Sequence, residues 1–104
     1  MTYELRTYTA HEGKLDALAA RFRDHTVRLF EKHGMVSIGY WIPIDSTDTL
    51  VYVLQHHGDP KANWRAFQAD DEWIAAKAAS EVDGPLAANI VAVVMEPTDF
   101  SALA

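Results

Sequence analysis

His25 is the residue best placed, by type and spacing, to do chemistry. It lies in the run from Gly13 to Gly34, GKLDALAARFRDHTVRLFEKHG, where Leu15, Leu18, Phe22, His25 and Leu29 recur at steps of three and four. That spacing puts all five on one helix face, which should turn inward. Apolar burial favours the neutral imidazole, suited to a general base or a ligand contact. A plainer role competes and is the commoner one: a core histidine bonded to a tyrosine hydroxyl or a backbone carbonyl. Arg6, Tyr8, Tyr40 and His56 are the candidates for binding a ligand beside it. Tyr8, Tyr40 and Tyr52 offer polar handles, and Trp41, Trp64 and Trp73 can wall an apolar pocket, although aromatic residues serve equally well as core.

Other chemistries find little support. His56 and His57 are neighbours in an extended segment, so they point to opposite faces and cannot share a metal ion. His33 lies two helical turns beyond His25, about 12 Å along the axis. Neither HExxH nor a Cys/His spacing is present, and no local motif supports a haem on His25 or His56, so no metal and no cofactor is expected. There is no cysteine and no GxSxG, and Ser37, Ser46, Ser80 and Ser101 stand in no triad-like arrangement. Helix capping accounts for Asp70-Asp71-Glu72, and a turn into the next strand accounts for Ser80, Glu81 and Asp83.

The elements that must position these residues read as strand, helix, strand, strand, helix, strand. Residues 2–9 (TYELRTYT) favour a pleated surface, with Tyr3, Leu5 and Thr7 on one face and Glu4, Arg6 and Tyr8 on the other. Glu4 and Arg6 are expected to form an exposed or interface ion pair, worth ~0–1 kcal/mol, in preference to a ligand-reading arginine. Lys14, Arg21, Arg23, Arg28, Glu31 and Lys32 should cover the outer surface of the first helix, which Gly34 ends. In residues 35–43, Val36, Ile38, Tyr40 and Ile42 should share one face and Met35, Ser37, Gly39 and Trp41 the other; Gly39 leaves room for something large. Residues 49–57 return after the polar loop 45–48 and are apolar on both faces. Asp59-Pro60 starts a second helix in the favoured way, Asp70 caps a further segment, and Gly84-Pro85 stops it. Residues 87–95 (AANIVAVVM) form the fourth strand, and Phe100 in the tail needs something to bury it.

This order, with right-handed crossovers, predicts a ferredoxin-like βαββαβ sandwich: a four-stranded antiparallel sheet with helices on one face. Strands that are apolar on both sides need cover on the other face too, so the chain should be a homodimer closing two sheets into an α+β barrel. A one-residue slip would exchange the faces and move Arg6, Tyr8, Tyr40 and His56 to the subunit contact.

At 104 residues the chain is expected to be one domain, residues 1–104, burying roughly 60–70% of its unfolded surface. A net charge of −6 without a basic block argues against nucleic acid and anionic membranes as partners. The start Met1-TYELRTYT lacks the apolar core of a signal peptide, and no run approaches the ~20 apolar residues of a membrane span. A cytoplasmic location is expected, and the absence of cysteine fits it.

YELRTYT, RFRDHTVRLFEKHGM, GYW with Pro43 just beyond, LVYVL, DDEW, SEVDG and PTDF, in this order and spacing, resemble the NIPSNAP family across the whole chain. The resemblance implies a dimeric α+β barrel and says little of activity. Relatives in the wider barrel group include cofactor-independent monooxygenases and haem-degrading enzymes that work in a pocket between sheet and helices, an analogy of fold alone. Three functions follow as expectations. The first is a homodimer binding a small hydrophobic ligand in that pocket. The second is a cofactor-independent monooxygenase or isomerase with His25 as base, and the third is a protein-interaction scaffold.

Overall fold

Four extended segments rich in β-branched and aromatic residues pair into one antiparallel sheet in the computed structural model, which describes residues 1–103. The strands are β1 (Thr2–Ala10), β2 (Met35–Trp41), β3 (Thr49–His56) and β4 (Ala87–Met95), in the order β2-β3-β1-β4. Between β1 and β2 run α1 (Leu15–Arg21), a π-helical turn (Phe22–Thr26) and α2 (Val27–Lys32); between β3 and β4 run α3 (Pro60–Gln68) and α4 (Asp71–Ser80). This is the ferredoxin-like α+β arrangement that the element order predicts. Among the described residues, no helix is long and apolar enough to cross a membrane.

Strand parity decides what each face carries. Opposite Arg6 on β1 stands Tyr52, opposite Glu4 stands Leu54, and opposite Tyr8 stands Leu50; these residues and His56 make the helix-covered face. Leu5, Thr7, Val51 and Val53 fall on the other face with Val91 and Val93 of β4. Among the described residues no helix lies there, and Val93 is 46% exposed.

The parity expected for β2 fails at one point. Its register against β3 shifts between Ser37 and Gly39, a bulge that inserts Ile38. Met35 and Ser37 therefore share the helix face with Tyr40, while Gly39 and Trp41 share the bare one. The large group that approaches Gly39 is Trp41 itself: a Cβ on Gly39 would lie 2.6 Å from the Trp41 ring.

The first helical run departs from the expected face for a similar reason. The π turn closes with the Val27 N–H donating to the Phe22 carbonyl, an i→i+5 bond that inserts one residue into the helix. Thr26, not His25, then follows Leu18 and Phe22 into the core, ahead of Leu29 and Phe30. The Thr26 hydroxyl donates to the Arg21 carbonyl at 3.3 Å, so its polar atom is satisfied inside the turn. His25 is rotated to the flank, 42% exposed, with Nδ1 3.5 Å from Glu72 of α4. Its expected burial is thus corrected. Arg21, expected on the surface, is turned inward by its place three residues after Leu18 and is buried.

Helix termini follow the sequence closely. Asp59 accepts from the Ala62 amide ahead of Pro60, and Asp70 accepts from the Glu72 and Trp73 amides. Asp70 also accepts from Lys32 Nζ at 2.8 Å and His33 Nε2 at 2.7 Å, tying the end of α2 to the start of α4. The Lys32 and His33 bonds hold its carboxyl well below the usual carboxylate range. Gly34 ends α2 at φ +80°, where a side chain would also crowd Asn63 and the His57 carbonyl.

Candidate functional site

A run of aromatic rings joins the helices to the sheet. Phe22 packs edge-on against Tyr8, Tyr40 and Tyr52, Phe30 touches Tyr52 and Trp64, and Phe67 links Trp64 to Trp73. The helices stop short of β4, leaving Ile90 half-exposed on the helix side. The gap becomes a cavity of about 620 Å³ between sheet and helices. Tyr8, Phe22, Phe30, Trp64, Phe67 and Trp73 supply its aromatic wall, and Arg6 and Arg21 also line it.

Glu4 is the centre of the polar network beside the cavity. It is 2% exposed and accepts from His56 Nε2 at 2.7 Å, Trp64 Nε1 at 2.8 Å and Arg6 Nη1 at 3.0 Å. Burial alone would push the Glu4 carboxyl up, but the bonds from Trp64, His56 and Arg6 outweigh it and hold the pKa below 4.5. The expected surface ion pair is therefore corrected to a buried one, because Glu4 lies on the face that the helices cover. The Asn63 amide donates to the His57 carbonyl at 2.9 Å, which fixes its orientation and directs Nδ2 at His56 Nδ1, 3.1 Å away. Nδ1 must accept, so Nε2 carries the proton given to Glu4. In this network both ring nitrogens of His56 are engaged, which leaves no lone pair free to act as a base.

Arg6 reaches back from Glu4 to Tyr8, where Nη2 donates to the phenol oxygen at 3.1 Å, and its guanidinium lies 4.2 Å from the Trp64 ring centroid. Burial would lower its pKa, but the Tyr8 and Tyr52 phenols and Glu4 raise it, so Arg6 stays charged. Tyr52 donates to Tyr8 at 3.0 Å. Tyr8 thus accepts twice, and among the described residues its own O–H has no acceptor. Burial pushes the Tyr40 phenol up to about 12 and the Tyr52 phenol well above its ordinary value, so both are hydrogen-bonding groups and not bases.

Of the five residues singled out from sequence, Arg6 and Tyr8 line the cavity, and His56 stands behind them through Glu4. Tyr40 stacks on Tyr52 and bonds Ser37 at 2.7 Å, outside the lining. His25 is also outside it. Sequence reasoning missed Arg21, which donates from Nη1 to Ser80 Oγ at 3.1 Å and Glu81 at 3.3 Å and lies 5.0 Å from the Trp73 ring centroid. Its partners stand 59 and 60 residues away, and only its place beside the Leu18–Phe22 stripe hinted at burial.

A four-stranded antiparallel sheet with helices on one face and a cavity beneath them defines a ferredoxin-like α+β protein. The chain matches the NIPSNAP family model over residues 3–102 and belongs to that family. Among solved structures it is similar to Atu4242 from Agrobacterium tumefaciens, at 22% identity over 100% of both chains and a TM-score of 0.80. It is similar to an uncharacterized NIPSNAP domain protein from Burkholderia xenovorans, at 20% identity over 97% of this chain and 98% of that one, TM-score 0.76. It is also similar to SnoaB, a cofactor-independent oxygenase from Streptomyces nogalater, at 15% identity over 92% of this chain and 91% of that one, TM-score 0.61. At these identities the likeness speaks for the fold alone. The chain matches no curated protein.

Proposed function

We propose that the chain is a homodimeric binding protein that holds a small hydrophobic molecule between its sheet and its helices. The observation that carries this is the 620 Å³ cavity walled by aromatic rings, a size ordinary for small-molecule sites. The bare sheet face supports the dimer: Val93, Trp41 and the valines beside them form an apolar surface that a second sheet would cover. Phe100, 86% exposed where burial was expected, adds to the apolar surface that needs a partner.

The neutral probe N-phenyl-1-naphthylamine tests the cavity. Its fluorescence should rise to saturation at one probe per protomer, and Ala78→Trp, at an exposed position of the lining, should abolish the rise without lowering Tm. Absence of saturable binding, or binding indifferent to Ala78→Trp, would remove the cavity from the account.

The alternative, a monooxygenase or isomerase with His25 as base, draws on the likeness to SnoaB. It needs His25 to reach a substrate, and His25 stands on the flank against Glu72. His25→Phe should therefore leave probe affinity within about twofold of the parent, as befits an exposed substitution. A protein-interaction scaffold would need neither cavity nor His25, and saturable probe binding that Ala78→Trp blocks distinguishes it.

A further inference from the structure

We propose that the molecule held in the cavity ends in a carboxylate, and that Arg21 is the group that receives it. The inference rests on the cavity being a ligand site and names the class of ligand.

The first observation is the hydrogen-bonding capacity left over at the lining. Nε of Arg6 and Nε of Arg21 are buried without a partner among the described residues. The Tyr8 phenol oxygen accepts twice, and its O–H donates to nothing among the described residues. All three are donors, and an arginine has no acceptor to offer. A buried donor left unpaired costs free energy, so the site is suited to a ligand that brings acceptors and does not need to receive them.

The second observation is charge. The chain carries −6 overall, yet the charged side chains at the cavity are Arg6, Arg21, Lys77 and Glu81, three cations to one anion. Glu4 neutralises Arg6 at 3.0 Å inside a closed network. Arg21 is less well matched. Its side chain is only 6% exposed, both of its bonds leave from Nη1, and its one carboxylate partner, Glu81, is 3.3 Å away and also accepts from the Leu86 amide. A planar guanidinium with its Nε edge unused is the usual receptor for a carboxylate fork.

The third is the remainder of the wall. Trp73, beneath Arg21, and Phe67 and Trp64 beyond it offer an apolar bed for the body of the ligand. The chemistry recognised is that of an aryl or short acyl carboxylate.

Two isosteric probes test this in the intact protein at pH 7: 2-naphthoate, whose carboxyl titrates at about 4 and is ionised, and neutral 2-naphthamide. Calorimetric titration should find naphthoate at least roughly tenfold tighter, with Arg21→Met bringing the two affinities within about twofold of each other by weakening naphthoate alone. Equal affinities in the unsubstituted protein would overturn the carboxylate while leaving the cavity as a neutral ligand site. Failure of both probes would overturn the cavity reading with it. A preference that survives Arg21→Met would overturn the role given to Arg21. The comparison of the two probes in the unsubstituted protein decides the ligand class whether or not Arg21→Met folds.

Discussion

Glu4→Gln is expected to destabilise the fold more than any other single substitution in the polar network. The amide can still accept from Trp64 and His56, but it turns an N–H₂ toward Arg6 and leaves that guanidinium buried without its counter-ion. Breaking one side of a buried pair costs about 3–5 kcal/mol, and at roughly 4–8 °C per kcal/mol Tm should fall by ~12 °C or more. Arg6→Met in the same chain removes the orphaned charge, so the double variant should be more stable than Glu4→Gln alone. The pH dependence carries the same signature. Because the Glu4 carboxyl titrates below its ordinary 4.5 in the folded state, its contribution is present above that pH and is lost as pH falls through the folded value. The stability gap between parent and Glu4→Gln should therefore narrow in acid. A gap that is independent of pH, or a Tm loss of only a few degrees, would mean that Glu4 is not the keystone of the sheet–helix junction.

The second large effect belongs to the bare face. Val93 is half-exposed in the single chain, so Val93→Glu should change its folding by little. In a two-fold pair the new carboxylate appears twice, desolvated each time against apolar side chains. At about 3 kcal/mol for each unpaired charge, the dimer should weaken by roughly 10⁴-fold. Sedimentation equilibrium should find the parent at twice the 11.6 kDa chain mass and Val93→Glu at 11.6 kDa. A parent that sediments as one chain at micromolar concentration would leave the sheet unpaired and refute the proposed homodimer.

What the sequence discloses divides along physical lines. Strand parity in β1 and β3 is a local rule of period two, so the faces of Glu4, Arg6, Tyr8, Val51 and Val53 are legible residue by residue. Helix caps are local as well, and Asp59-Pro60 and Asp70 were readable from a few letters. A single inserted residue defeats such rules. The bulge at Ile38 exchanges faces along β2, and the π turn at Phe22–Thr26 replaces His25 by Thr26 in the core. The polar histidine within an otherwise apolar stripe was the one available hint.

The cavity lies further beyond reach, because it arises where α3 and α4 stand off from β4. Its polar partners come together over long separations, His56 with Glu4 across 52 residues and Trp64 with Glu4 across 60. Periodicity cannot see such pairs. Arg6, Tyr8 and Trp64 could be suspected from type alone, whereas only its place beside the Leu18–Phe22 stripe set Arg21 apart from the other cations of its helix.

The place of the ligand is tested most directly by a crystal structure grown with 2-naphthoate. The naphthyl group should lie between sheet and helices against Trp64 and Trp73, with its carboxylate on Arg21. Density for the probe on the valine face of the sheet, or an empty cavity at a concentration that saturates binding in solution, would contradict it.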